Sequence, residues 1–76
     1  MEKHTDWDIF SRNIIWLRKH HGLSKKVMAQ MLGISIGSLN KIEAGVIPPR
    51  LGVRIFFMVY RNFGIPPTAQ LTKILE

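Results

Sequence analysis

The chain has 76 residues, 46% of them hydrophobic, and no cysteine. That length fits one domain whose core comes from apolar packing alone, without disulfide staples or thiolate metal sites. Eleven Lys and Arg against five Asp and Glu give a net charge of +6, which points to a polyanionic partner, nucleic acid ahead of an anionic membrane.

No apolar run approaches the roughly 18 to 20 residues of a membrane-spanning helix. The opening "MEKHTDWDIF" is acidic and broken by charge, unlike a secretory signal, so a cytoplasmic protein is expected. Gly22, Gly33, Gly45, Pro48, Pro49, Gly64, Pro66 and Pro67 punctuate the chain. The segments between them read as short helices with little strand-like alternation. The fold class expected is all-α: a compact five-helix bundle forming a single domain over 1–76.

The first helix is expected to start near Thr5 or Asp6, either of which can cap free backbone N–H groups. Phe10, Ile14, Leu17 and His21 then share one face, and Gly22 suits the left-handed C-terminal position. Ser24 caps a second helix that runs to about Leu32. Ser35 caps a third, ending near Ala44 with Gly45 as its stop. The fourth follows "PPRLG" and carries Val53, Phe56, Phe57, Tyr60 and Phe63. A last short helix begins around Pro67, since proline is tolerated in a first turn. It presents Leu71, Ile74 and Leu75.

The strongest pattern lies between Lys25 and Ala44. Met28, Leu32, Ile34, Leu39 and Ile42 occupy places 4, 8, 10, 15 and 18 of that stretch, with Ala29 at place 5 and Gly33 at place 9. Two helices crossing steeply over a three-residue turn approach closely, so a small residue belongs at the crossing. The turn itself needs one residue at positive φ, which glycine supplies. All seven in register mark a helix-turn-helix over about 24–44.

At these residues the chain resembles the phage-repressor (Cro/CI-type, XRE-like) helix-turn-helix family. The resemblance runs from about Phe10 to Leu75. It includes "LRKHHGLS" before the second helix, "EAG" closing the third and "FGI" after the fourth. It implies a lambda-repressor-like DNA-binding domain, a sequence-specific transcriptional regulator and most simply a repressor. An arginine late in the first helix pairs in such proteins with a glutamate near the end of the third; the matching positions are Arg18 and Glu43, read as a structural ion pair.

The same resemblance places the third helix in the major groove. The matching base-facing positions are Ile36, Gly37, Asn40 and Lys41, with Ser35 and Ser38 beside them. Lys41 suits guanine O6 and N7, and Asn40 suits adenine or a phosphate. Lys25 matches a backbone-contacting position, and Lys26 and Arg50 are further candidate phosphate contacts. Ile36 and Gly37 depart from the pattern, because neither makes a base-edge hydrogen bond. Three readings stand: Ile36 packs on a thymine methyl while Gly37 admits close approach; the protein binds DNA through phosphates with little specificity; or its duty has shifted to a protein partner.

Ile15, Trp16, Val27 and Met31 fall off the buried faces, and Trp7, Ile47 and Met58 are expected to be partly exposed, which points to a homodimer. Relatives commonly dimerise through the last helix or two, making Phe57, Tyr60, Leu71, Ile74 and Leu75 candidates. A second class is a helical protein-interaction module, antitoxin-like or anti-repressor-like. His4, His20 and His21 lack ligand spacing, so no metal or cofactor is expected. His21 is expected at the edge of the core and His20 on the surface. No nucleophile–base–acid set is present, so no enzyme is expected. A membrane-surface role would make the helix-turn-helix register a coincidence. Because the sequence ends with the last helix, no attached effector domain is expected either.

Overall fold

Five helices follow one another: α1 (Asp6–His20), α2 (Lys25–Leu32), α3 (Ile36–Glu43), α4 (Arg54–Phe63) and α5 (Pro67–Thr72). The computed structural model describes residues 6–49 and 51–75, so the readings placed on His4, Thr5 and Arg50 lie outside the described residues. The lambda-repressor-like, all-helical fold is as the spacing predicts, and no strand occurs among the described residues.

Phe10, Ile14 and Leu17 of α1, Met28, Ala29 and Leu32 of α2, Leu39 and Ile42 of α3, and Ile55 and Val59 of α4 form one buried cluster. At roughly 25 cal/mol per Å² of apolar surface removed from water, such a cluster is the main term holding a chain this short. α1 lies between α3 and α5, and α2 packs against α3 and α4. Phe10 links α1 to α4: its ring meets Trp7 with centroids 5.1 Å apart and Phe56 edge-on, also at 5.1 Å.

Three departures from the sequence reading have physical causes. His21 does not join the Phe10–Ile14–Leu17 face; α1 stops at His20 and the chain turns at Gly22 (φ 64°), leaving His21 exposed with its ring 5.2 Å from Phe63. In α4 the buried residues are Ile55 and Val59, whereas Phe57 and Tyr60 are exposed, at 59% and 51%, and Val53, expected within the helix, precedes it and is 71% exposed. Phe56 and Phe63 pack at the core's margin. Finally, α5 ends at Thr72, so Ile74 and Leu75 follow the helix, after an extended Lys73, and are not part of it.

Buried polar side chains explain that last point. The Asn13 amide Nδ2 donates to the carbonyls of Gln70 (3.0 Å) and Lys73 (2.7 Å), and its Oδ1 accepts from Leu75 N–H (3.0 Å). One α1 side chain thus draws the C-terminal segment out of helical geometry and against the core. Gln70 Nε2 donates to Phe56 O (2.8 Å) and Ile65 O (2.7 Å), tying α5 to α4. Ser11 Oγ donates to the Ile42 carbonyl, fixing α1 on the end of α3. A buried amide costs free energy unless its hydrogen-bonding capacity is met; Asn13 meets it at both ends and so specifies its backbone partners, whereas Gln70 Oε1 is buried with no partner among the described residues.

Candidate nucleic-acid interface

The helix-turn-helix angle is set by backbone chemistry at Gly33. Its φ of 70° and ψ of 31° place it in the left-handed region, where a side chain would be strained. Gly33 N–H donates to Gln30 O (3.2 Å) and Ile34 N–H to Ala29 O (3.0 Å), closing the last carbonyls of α2. Ala29, buried beside Met28 and Leu32, lets the two helices come together. Each helix then starts on a serine: Ser24 Oγ accepts from Val27 N–H (3.1 Å) and Ser35 Oγ from Ser38 N–H (3.0 Å). Neither α2 nor α3 has an acidic residue in its first turn. Their N-terminal dipole charge is therefore not offset locally.

Successive residues of a helix point about 100° apart, so the buried Leu39 and Ile42 define the face of α3 opposite them. That outward face carries Ile36, Gly37, Asn40 and Lys41, all exposed. Gly37 stands at its centre. The backbone at Gly37 is ordinary helix, and a Cβ built there would meet only Ser35 Oγ, at 3.8 Å. The fold itself does not demand glycine at that position.

Ser35 and Ser38 are occupied with each other. Ser35 Oγ also donates to Ser38 Oγ at 3.1 Å, and Ser38 is half-buried. Lys25, the first residue of α2, reaches across the turn: its Nζ donates to Asn40 Oδ1 at 2.9 Å. Lys26 is exposed on α2. Behind this face, Arg18 Nε donates to Glu43 Oε2 (2.7 Å) and Nη2 to Glu43 Oε1 (3.0 Å), with both side chains largely buried at 16% and 10% exposure. Arg18 Nη1 also reaches Leu23 O at 3.5 Å, so one guanidinium holds the α1–α2 turn and the end of α3.

A helix-turn-helix family model matches residues 14–53, more than half of the chain. The protein belongs to the Cro/CI-type helix-turn-helix family. No curated protein and no solved structure matches it. Membership of this Cro/CI-type family makes the chain a DNA-binding transcription regulator in kind, and the family is a regulatory one that is not typically enzymatic.

The remaining apolar residues are distributed unevenly. In this Cro/CI-type domain Val46 and Ile47, in the connection after α3, are 52% and 63% exposed, and Val27 and Ile36 are exposed too. Ile15 and Met31 are half-buried, and Trp7 and Met58 pack on the core. Trp16 stacks on His20 with ring centroids 4.3 Å apart. Leu71 and Leu75 pack against the core cluster, which leaves Phe57, Tyr60 and Ile74 exposed among the residues expected at a dimer contact. Among the described residues no group of three or more His, Cys, Asp or Glu is arranged to hold a metal, and no helix is long and apolar enough to cross a membrane.

The sequence reading missed Asn13, Ser11 and Gln70, which position the helices behind α3, and it missed the link between Lys25 and Asn40. Neither kind of contact follows from helical periodicity.

Proposed function

We propose that this chain is a sequence-specific repressor that binds duplex DNA as a homodimer with α3 in the major groove. The observation that carries the reading is the face of α3 opposite Leu39 and Ile42. It is exposed, free of acidic side chains, and presents Asn40 and Lys41 on either side of a glycine. Lys41 donates to guanine acceptors. Ile36 packs on a thymine methyl, and the missing side chain at Gly37 brings the backbone close to the base edges. Lys26, at the start of α2, contacts phosphate with the help of the helix dipole, as does Arg50, whose position lies outside the described residues. The whole chain acts as one cytoplasmic domain, repressing by occluding a promoter. Two copies place their α3 helices about one helical turn of DNA apart, near 34 Å, and match a palindrome.

Binding to a pool of random duplexes tests this, with wild type beside Lys41→Ala and Lys26→Ala. Lys41→Ala should lose preference at one base position, and Lys26→Ala should weaken all sequences alike and reduce the salt dependence. Equal binding by all three proteins at about 150 mM salt rejects the reading.

A second reading, a helical protein-interaction module, is favoured by the exposure of Ile36, Val46 and Ile47 around α3. It predicts that Ile47→Lys removes a protein partner while leaving DNA binding unchanged.

A further inference from the structure

The contact between Lys25 and Asn40 has consequences for which base α3 selects. An ammonium group has donors only, so the atom of Asn40 that meets Lys25 Nζ at 2.9 Å is necessarily the carbonyl oxygen. That settles the amide's orientation by chemistry. The opposite end, Nδ2, makes no hydrogen bond within the described residues. Asn40 lies on the outward face of α3, next to Gly37 and Lys41, and both it and Lys25 are exposed.

Asparagine reads adenine by using both ends of its amide: Oδ1 accepts from the N6 amino group while Nδ2 donates to N7. With the Lys25 ammonium already at Oδ1, an approaching N6 amino group would meet a positive charge and a partly used acceptor. Guanine raises no such conflict. It offers N7 and O6, both acceptors, to an amide that presents only its donor. We propose that Lys25 is a specificity-determining residue: by holding Asn40 Oδ1, it turns Asn40 into a donor that selects guanine over adenine. Lys25 then acts through Asn40 as a positioning residue, and its remaining N–H groups stay available to phosphate. This inference rests on the major-groove reading of α3 and differs from the expectation that Asn40 suits adenine or a phosphate.

The test is selection of bound sites from random duplexes by four proteins: wild type, Lys25→Met, Lys25→Arg and Asn40→Ala. Methionine keeps the length of the lysine stem and removes the donor, whereas arginine restores donors. Wild type and Lys25→Arg should enrich guanine over adenine about tenfold at one position of each half-site. Lys25→Met should shift that position, and no other, toward adenine by a similar factor. Asn40→Ala should leave the position without preference. Adenine at that position in the wild type overturns the inference. So does Lys25→Met binding every sequence more weakly with its base preferences unchanged, since Lys25 would then be a phosphate anchor alone. A wild type that enriches no motif defeats the major-groove reading itself, a different failure seen before any variant is compared.

Discussion

Arg18 and Glu43 face each other across the α1–α3 junction through two parallel contacts, 2.7 Å and 3.0 Å long, with both groups largely out of water. Glu43 is the last residue of α3, two beyond Lys41, so the pair holds the far end of α3 while Ser35 holds the near end. Paired charges of this kind contribute little net stability compared with well-packed apolar residues, yet removing one partner leaves the other uncompensated. Glu43→Ala should therefore cost about 2 to 3 kcal/mol. The double variant Arg18→Met/Glu43→Leu should recover most of that loss. Urea denaturation at neutral pH measures both. A double variant as unstable as Glu43→Ala would mean the pair contributes net stability by itself.

Gly37 separates stability from function. A Cβ there meets nothing closer than 3.8 Å, so Gly37→Ala should raise stability by up to about 1 kcal/mol through helix propensity. The same methyl group would stand at the centre of the face offered to DNA, so affinity should fall by about tenfold. Thermal melting and titration of a selected duplex give the two numbers. Unchanged affinity would remove the close-approach role assigned to this glycine.

The sequence made some parts of this architecture readable because they depend on local spacing. Met28, Ala29, Leu32, Gly33, Leu39 and Ile42 belong to two adjoining helices and one turn, where chain distance and spatial distance nearly coincide. In α4 Ile55, Phe56, Val59 and Phe63 share the face opposite Arg54 and Arg61, so periodicity marks the buried side, yet the sequence reading took Val53, Phe57 and Tyr60 with it and passed over Ile55 and Val59. Packing against α2 and α5 chooses Ile55 and Val59 and leaves Phe57 and Tyr60 outside. Asn13 and Gln70 carry no periodic signal, because Asn13 finds a partner 57 residues away and Gln70 reaches back 14 residues to Phe56 as well as 5 to Ile65. At the candidate interface the outward residues of α3 were legible through the family resemblance, with which helical register agrees. The link from Lys25 to Asn40 was not, since it joins two helices through one flexible side chain.

Asn13 should behave as the tether of the C-terminal segment. Asn13→Ala leaves the carbonyls of Gln70 and Lys73 and the Leu75 N–H without their shared partner. The expected cost is about 2 to 3 kcal/mol. Hydrogen exchange should accelerate first at Leu75, before the amides of α2 and α3 change. Uniform acceleration along the whole chain would show that α5 is not a separable unit.

Phe57 and Tyr60 of α4 and Val53, the residue before it, are exposed and recur at helical spacing, so all three lie on one side. If that stripe joins two copies, Phe57→Lys should make the protein monomeric in sedimentation at micromolar concentration. Its melting temperature at low concentration should hardly move, because Phe57 is outside the core. DNA affinity should drop more than for any single phosphate contact, since both half-sites lose their coupling. Sedimentation of Phe57→Lys indistinguishable from wild type would point the contact elsewhere.

The serine-started, carboxylate-free beginnings of α2 and α3 imply that part of the attraction to a polyanion resides in the peptide backbone. Side-chain replacement cannot erase that part: a protein stripped of Lys25, Lys26 and Lys41 should still cling weakly to duplexes at low ionic strength. Introducing Asp at position 26 should weaken this residual attraction further than Ala does, because it cancels the fixed dipole as well as deleting a mobile cation.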